Sequence, residues 1–323
     1  MARKPSAALP PRTAKAIREV KSDREHGASW LARRSAQILE DLSRPARDGE
    51  EDGAAYSRLL SLQSAARRLA GSRPSMAAVA NTVAYICADI YPLPAGENDA
   101  GSQQRLARAH RRAQKVDDSW SGAAAAIFTH ARPLLGATLY THSRSGTVEY
   151  ALTRLAQEQE AGKLKVIVSQ SHPGDEGISL AATLAQAGGA EVVLVADSAC
   201  GLFIGDAAAV VVGADSVRSD GGVVNKVGTL PLALVAREAG VPVYVLCETL
   251  KVASPRSTLT FEEMDSRELL PTPLPGVTAR NIYFELTPHA LITEIITEQG
   301  ILTPEETLAI SRRAEQSLAL LGP

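Results

Sequence analysis

The sequence predicts an α/β protein in which a helical N-terminal domain precedes a domain built on a parallel sheet. Before about residue 132, apolar residues recur at three- and four-residue spacing, as they do between Tyr56 and Ala70, and this spacing indicates helices. After Pro133, short apolar runs alternate with helical segments. Such runs are typical of strands that are buried on both faces and pair in parallel within βαβ units.

The predicted organisation has three parts. Residues 1–12 form a loose tail, residues 13–132 form the helical domain, and residues 133–323 form the sheet domain. Helical segments separate the predicted strands, as parallel pairing requires. The predicted strands are 137–141, 165–169, 191–196, 209–214 and 241–248.

Two further helices are predicted near the C-terminus. The first begins at Thr287, with Pro288 in its first turn. The second begins at Thr303, where Pro304 follows and Glu306 completes a capping box.

The composition narrows the class of protein. The chain has 323 residues, of which 45% are hydrophobic but only 4% aromatic, so we expect cores of Ala, Val and Leu. A net charge of -2 gives no overall basic surface, and direct nucleic-acid binding is not expected. The three cysteines lie far apart, which favours neither a metal site nor disulfides and suits a reducing compartment. No secretory signal or membrane-spanning run is present, so a cytoplasmic protein without a membrane partner is expected.

A polar segment after one predicted strand holds the strongest site candidates. Strand 209–214 is followed by Asp215, a glycine-rich loop, and then Asn225 and Lys226, which we place at the start of a helix. Ligands of open parallel sheets bind beyond the carboxyl ends of the strands, and helix N-termini attract anions. This arrangement suits a polyol phosphate, with Asp215 at hydroxyls or a proton and Lys226 at phosphate. The alternatives are that Asp215 is only a turn residue and that Lys226 is only a solvated residue at the start of a helix.

Two other strand-to-helix turns carry polar side chains. Residues 142–147 are rich in hydroxyls and positive charge, which favours an anion-binding or hydroxyl-positioning turn. Because adjacent strand residues point to opposite faces, His142 and Ser143 are a poor nucleophile–base pair. The turn after 165–169 contributes Glu176, for which a structural turn role is equally open. No phosphate-binding glycine motif for a nucleotide is present, and no cofactor is predicted.

Several motifs, spaced in one order, resemble a single protein family. The motifs are "VVVGADSVRSDGGVVNKVGT", "ARNIYFELTPHALITEIITEQGIL", "HGASWLARRSAQIL", "SRPSMAAVAN", "THSRSGTV", "SHPGDEGISLA" and "DSACGLFI". They resemble the alpha, beta and delta subunits of initiation factor 2B, especially archaeal factor 2B-like proteins, and the methylthioribose-1-phosphate and ribose-1,5-bisphosphate isomerases. The resemblance covers nearly the whole chain after residue 13. It implies a Rossmann-like C-terminal domain and a homodimer formed through that domain. Stacking of these dimers into a hexamer is a further expectation, and other initiation factor subunits are further partners to consider.

The resemblance also implies roles for individual residues. It makes Asp215 the counterpart of the isomerases' proton donor. The substrate- and phosphate-binding counterparts are His26, Gly27, Ala28, Arg73, Asn225 and Lys226. In four places the chain departs from the isomerases: Ser143 replaces the catalytic cysteine, His26 replaces an arginine, Glu176 replaces a glutamine, and Gln170 and His172 stand in a Glu-x-Arg pattern.

These departures set two functions against each other. Because serine is a much weaker acid than cysteine, the favoured function is a factor 2B-like protein without the catalytic thiol. It binds a phosphorylated sugar or nucleoside monophosphate in the crevice between the domains, for ligand sensing or translation initiation. The alternative is an aldose–ketose isomerase that acts on a phosphorylated pentose, with Asp215 as proton donor and Ser143 in place of the thiol. An assembly subunit with a vestigial pocket is a third possibility, which the retained Asp215, Asn225 and Lys226 disfavour.

Overall fold

The structure, a computed structural model, describes residues 9–23, 26–45, 54–91, 97–158, 160, 162–261 and 263–321, without the side chains of 117 and 121. The chain forms two compact units. The helical unit consists of residues 1–121, 252–258 and 309–323. The α/β unit consists of residues 122–251 and 259–308.

The described residues form the following elements in chain order. The helices are α1 (Pro11–Ser22), α2 (Ala28–Ser43), α3 (Ala54–Ala70), α4 (Ala77–Cys87), α5 (Asp99–Ala131), α6 (Gly146–Glu158), α7 (Glu176–Ala187), α8 (Cys200–Phe203), α9 (Thr229–Glu238) and α10 (Pro304–Ala319). The strands are β1 (Thr138–Thr141), β2 (Leu164–Ser169), β3 (Ala190–Val195), β4 (Ala209–Val212), β5 (Ser216–Val217), β6 (Val223–Lys226), β7 (Val243–Leu246), β8 (Phe284–Thr287), β9 (Glu294–Thr297) and β10 (Gly300–Ile301).

The division into units differs in detail from the predicted domains. It falls within α5, between residues 121 and 122, rather than near residue 132. The last residues of the chain belong to the helical unit, where Arg67 Nε donates to the carbonyl of Leu321 over 2.9 Å. Helix α1 begins at Pro11, inside the predicted tail, and residues 1–8 lie outside the described residues.

The α/β unit is built on a sheet in the order β10-β9-β7-β4-β1-β2-β3. Each neighbouring pair is parallel except β10 with β9. The predicted strands correspond to β1, β2, β3, β4 and β7. The chain runs from β1 outward to β3 and then returns to place β4 on the other side of β1. Helices alternate with these strands, and the predicted α/β fold class is confirmed.

The core of the α/β unit is mainly aliphatic, as the low aromatic content predicts. All residues of β4 and β7 are buried, because both strands lie inside the sheet. Helices α6 and α7 cover the sheet with buried leucines such as Leu152 and Leu180. Strand β3 ends the sheet and leaves Leu194 47% exposed.

A second, antiparallel sheet in the order β5-β6-β8 changes the predicted context of Asn225 and Lys226. Both residues lie on β6, opposite Glu285 and Phe284 of β8. Helix α9 begins later, at Thr229. The prediction that Asn225 and Lys226 start a helix is therefore wrong. Because β6 pairs with a strand from a distant part of the chain, local sequence does not reveal it.

The predicted helix at Thr287 is also wrong, whereas the helix after Thr303 is confirmed. Strand β8 ends at Thr287, and the segment continues through a short 3-10 helix into β9, which pairs in parallel with β7. The β-branched residues of β9 suit a strand that is buried inside the sheet. The capping box at α10 forms as predicted, with Thr303 N–H to Glu306 at 2.9 Å and Glu306 N–H to Thr303 at 3.2 Å.

Candidate functional site

The strand order places a topological switch point between β1 and β4. Chain connections leave this point in opposite directions, and the crevice that results is the usual ligand site of open α/β sheets. The segments 142–147, 170–176 and 213–215 follow the carboxyl ends of β1, β2 and β4. We call these three segments the carboxyl edge. They contain three of the predicted site residues: Ser143, Glu176 and Asp215.

The turn after β1 is held by hydrogen bonds on both sides. Ser143 adopts a left-handed conformation (φ 64°), and its N–H donates to Ser171 Oγ over 2.7 Å. His142 Nε2 donates to the carbonyl of Val227 over 2.8 Å, because a carbonyl oxygen can only accept. Burial lowers the pKa of His142, so the ring is neutral. The histidine therefore anchors the turn rather than acting as a base on Ser143.

A glycine lets this turn lie against the end of β4. A Cβ atom on Gly213 would lie 2.5 Å from the Cβ of Ser145, which no real side chain could occupy without displacing the turn. The turn before α6 and the segment that leads to Asp215 are therefore close neighbours. The backbone N–H groups of Ser145, Gly146 and Thr147 and the Ser145 hydroxyl lie at the N-terminus of α6, where the helix dipole favours anions.

Lys226 and Glu176 form an ion pair that we call the open pair. Lys226 Nζ lies 2.9 Å from Glu176 Oε1 and 3.6 Å from the ring centroid of Tyr283, and its side chain is only 3% exposed. The carboxylate keeps 33% of its side-chain surface exposed. Its second oxygen, Oε2, is buried and has no hydrogen-bonding partner among the described residues. Burial raises the pKa of Glu176, the charge of Lys226 opposes this rise, and Asp215 adds to it.

The N-terminus of α9 is already capped by a carboxylate. Glu285 Oε1 accepts from the N–H groups of Gly228 over 2.6 Å and of Leu230 over 2.9 Å. The side-chain amide of Asn225 donates to Thr229 Oγ1 over 3.0 Å and so helps to fix the same strand-to-helix turn. The predicted anion site at the start of this helix is therefore wrong, because Glu285 satisfies the free N–H groups.

Asp215 lies within electrostatic reach of two lysine–glutamate pairs. It is half-buried, and its N–H donates to the carbonyl of Val224 over 2.9 Å, which fixes the backbone beside β6. Its carboxylate raises the pKa of Glu176 in the open pair and that of Lys251 nearby.

Lys251 and Glu248 form a second ion pair that the sequence analysis missed, and we call it the closed pair. Lys251 Nζ lies 3.2 Å from Glu248 Oε2, and the side chains are 4% and 5% exposed. Glu248 Oε1 accepts from Thr147 Oγ1 over 2.6 Å. Burial works to lower the pKa of Lys251, but Glu248 and Asp215 outweigh it and the pKa is raised. A glutamate and a lysine three residues apart, directly after the buried strand β7, are the signal that would have found this pair.

The predicted phosphate-binding residues of the helical unit gather around Asp23. His26 Nδ1 lies 2.9 Å from Asp23 Oδ2 and the ring stacks on Trp30. Arg73, which is buried, donates to the carbonyl of Asp23 over 2.6 Å. Gly27 and Ala28 open α2, and no side chain caps that helix. The structure thus brings a histidine, an arginine and a helix N-terminus to one end of α2.

The described part of the chain contains no group of three His, Cys, Asp or Glu residues suited to a metal ion. Within the same residues, no helix combines the length and the apolar surface needed to cross a bilayer. Burial raises the pKa of the Cys87 and Cys247 thiols to about 12, so neither is a reactive thiolate near neutral pH.

Comparison with known proteins gives consistent similarities over nearly the whole chain. The sequence profile of the Initiation factor 2 subunit family matches residues 24–304. A Pyrococcus furiosus protein, named as a translation initiation factor eIF-2B subunit 2-like protein, is 32% identical over 92% of this chain and 98% of that protein. Ribose 1,5-bisphosphate isomerase of Archaeoglobus fulgidus is 33% identical over 90% of this chain and 89% of the isomerase. The crystal structure of the Pyrococcus horikoshii OT3 translation initiation factor eIF-2B matches with a TM-score of 0.74 and 29% identity, covering 93% of this chain and 100% of that chain.

Proposed function

Because the chain belongs to the Initiation factor 2 subunit family, we propose that it binds a small phosphorylated polyol at the carboxyl edge of the α/β unit, without isomerase turnover. The ligand is a sugar phosphate or a nucleoside monophosphate. The observation that carries this proposal is the buried Oε2 atom of Glu176, which has no hydrogen-bonding partner in the described structure. A buried carboxylate oxygen in this state is costly, and a hydroxyl of a bound polyol satisfies it.

The remaining groups of the carboxyl edge suit the other parts of such a ligand. Lys226 and Asp215 offer one donor and one acceptor for hydroxyls beside Glu176. The N-terminus of α6, with its backbone N–H groups and the hydroxyl of Ser145, suits the phosphate. Asn225 supports the Lys226 end of the site through the turn before α9.

The lack of turnover follows from Ser143. Proton transfer between neighbouring carbons needs an acid and a base with pKa values near the working pH. A serine hydroxyl is far too weak an acid, and the adjacent His142 is committed to the carbonyl of Val227. Asp215 alone therefore lacks the second proton-transfer group.

The helical unit carries its own part of the proposal. We assign His26, Gly27, Ala28 and Arg73 to ligand recognition on the basis of their gathering at the N-terminus of α2. A helix N-terminus beside Arg73 favours an anion, although the Asp23 carboxylate already pairs with His26.

The ligand is tested by calorimetric titration with ribose 5-phosphate and with adenosine monophosphate. We expect one of them to bind the parent protein. In Lys226→Ala, the loss of a charge-assisted hydrogen bond should cost about 10- to 100-fold in affinity. The matched control is Lys163→Ala, an exposed lysine before β2 at the opposite edge of the sheet, which should leave affinity unchanged. Equal affinity in both variants would contradict the assignment of Lys226.

The isomerase is the second candidate, because a relative named as an isomerase is 33% identical over 90% of the chain and Asp215 is in place. It predicts that the unmodified protein converts a phosphorylated pentose and that Ser143→Ala and Asp215→Asn abolish the conversion. Our proposal predicts no conversion by the parent protein and a gain in Ser143→Cys, since a helix N-terminus lowers a thiol pKa. A coupled assay of the four proteins decides between the two functions.

We also propose that the α/β unit forms a homodimer, which stacks further into a hexamer. Leu202 is 83% exposed and Leu194, on the edge strand β3, is 47% exposed, so this end of the sheet has apolar surface to bury. Sedimentation at micromolar concentration should show a dimer, and Leu202→Glu should shift it toward monomer. A monomeric parent protein would refute the proposal.

A role in translation initiation, with other initiation factor subunits as partners, is tested by co-purification with initiation factor 2 from the host.

A further inference from the structure

The charge of Lys226 is balanced within the protein. Glu176 Oε1 contacts the ammonium at 2.9 Å, and the face of the Tyr283 ring lies 3.6 Å away. The backbone of Gly174 passes close by, since a Cβ there would lie 3.1 Å from Lys226 Nζ. The ammonium therefore has a carboxylate, a ring and the backbone on three sides, and the carboxylate compensates its charge.

The surroundings of the open pair are negative rather than positive. Asp215 raises the pKa of Glu176, and Glu268, Glu176 and Asp175 contribute to the raised pKa of Tyr283. His142 lies within electrostatic reach of Lys226, but burial lowers the pKa of His142, so its ring adds no positive charge near neutral pH. An anion that approaches Lys226 would thus meet a compensated cation and several carboxylates.

We infer that Glu176 makes the Lys226 end of the site reject a phosphate, so that the protein selects polyols with a single phosphate over bisphosphates. The inference rests on the proposed function and names the charge class of its ligand. A hydroxyl fits this end because it carries no charge and donates its proton to Oε2 of Glu176. A phosphate there would place two negative groups side by side in a partly desolvated space, where like charges repel strongly.

The test uses Glu176→Gln, which keeps the shape of the side chain and removes its charge. Ribose 5-phosphate, a pentose 1,5-bisphosphate and inorganic phosphate are each titrated calorimetrically into the full-length protein. We expect the parent to bind the monophosphate more tightly than the bisphosphate. In Glu176→Gln, the affinity for the bisphosphate relative to the monophosphate should rise about 10- to 100-fold, since Lys226 gains a charge-assisted bond.

The matched control is Glu191→Gln, which removes the same charge from an exposed position on β3. This variant should leave the ratio of the two affinities as it is in the parent. Glu176→Ala, which also removes the carboxylate, should show the same rise in affinity for the bisphosphate relative to the monophosphate. This second variant shows whether the rise comes from the glutamine amide instead of from the lost charge. An unchanged ratio in both Glu176 variants would overturn the inference.

Titration with inorganic phosphate tests this inference independently of the proposed function. If no polyol phosphate binds the parent but Glu176→Gln gains phosphate binding that Glu191→Gln lacks, the proposed function fails and the charge inference stands. If Glu176→Gln gains neither phosphate nor bisphosphate binding, the inference is overturned, whatever the parent binds.

Discussion

The open pair and the closed pair use the same two residue types in the same unit. They differ in whether each oxygen of the glutamate has a cation or a hydrogen-bond donor beside it. In the closed pair, both side chains are at most 5% exposed, and Glu248 has Thr147 on one oxygen and Lys251 on the other. The Glu248 Oε2 contact with Lys251 is an ion pair at 3.2 Å that falls short of hydrogen-bond geometry. In the open pair, Glu176 is 33% exposed and one oxygen is buried without a partner.

This difference separates a structural ion pair from a candidate ligand site. A buried charge pair with each oxygen near a positive or donor group is complete within the fold, and breaking it is costly. A pair that leaves an acceptor unsatisfied at the carboxyl edge, near a switch point, is suited to a group from outside the chain. Asp215, which influences both pairs, lies at the boundary between the two roles.

The largest expected effect comes from breaking the closed pair. Lys251→Met leaves Glu248 buried without its cation and should lower the free energy of unfolding by about 3–5 kcal/mol. Urea unfolding measures the loss, with Lys163→Met as a control that removes an exposed lysine. A loss no larger than that of the control would show that Glu248 does not depend on Lys251 for its stability in the folded protein.

A smaller loss is expected from the hydroxyl that completes the closed pair. Thr147→Val removes the donor to Glu248 Oε1 while keeping the branched shape, and should cost about 1–3 kcal/mol. Thr183→Val is the matched control, because its hydroxyl bonds only to the carbonyl of Ser179 on an exposed helix face. If the two variants lose the same free energy of unfolding, the Thr147 hydroxyl contributes no more to stability than an ordinary exposed hydroxyl.

Much of the sheet could be predicted from the sequence, because strands buried on both faces appear as continuous apolar runs. Strands β1, β2, β4 and β7 are of this kind. The small sheet was missed because β6 ends in polar residues and pairs only with β5 and with a distant segment. The segment after Thr287 was mistaken for a helix because a proline after a threonine marks many helix starts, whereas Pro288 here follows a strand.

Only part of the candidate site could be predicted, for a similar reason. Asp215, Glu176 and Ser143 could be found because each follows an apolar run, and a parallel sheet gathers such residues at one edge. The ring over Lys226 and the cap of α9 could not be found, since Tyr283 and Glu285 come from β8 and its approach. The charge balance of the open pair therefore depends on tertiary contacts that no local pattern reveals.

The smallest expected effect is a pH dependence that distinguishes the pairs. Burial raises the pKa of Glu176 above its ordinary 4.5, so its contribution to stability is present at low pH and is lost as pH rises through the raised value. Glu176→Gln does not titrate there, and the unpaired Lys226 adds only a constant offset. The stability of Glu176→Gln relative to the parent should thus rise gently with pH in urea unfolding between about pH 4 and 8. A difference that falls with pH would show that the ionised Glu176 is stabilised by the fold, as in a complete pair.

The most direct test of the central claim is a crystal structure of the protein soaked with ribose 5-phosphate. The claim is that the open pair receives a hydroxyl of a singly phosphorylated polyol. It predicts a ligand hydroxyl within about 2.5–3.0 Å of Glu176 Oε2 and the phosphate at the N-terminus of α6. A phosphate seated on Lys226 with Glu176 turned away, or a ligand bound away from the carboxyl edge, would contradict it.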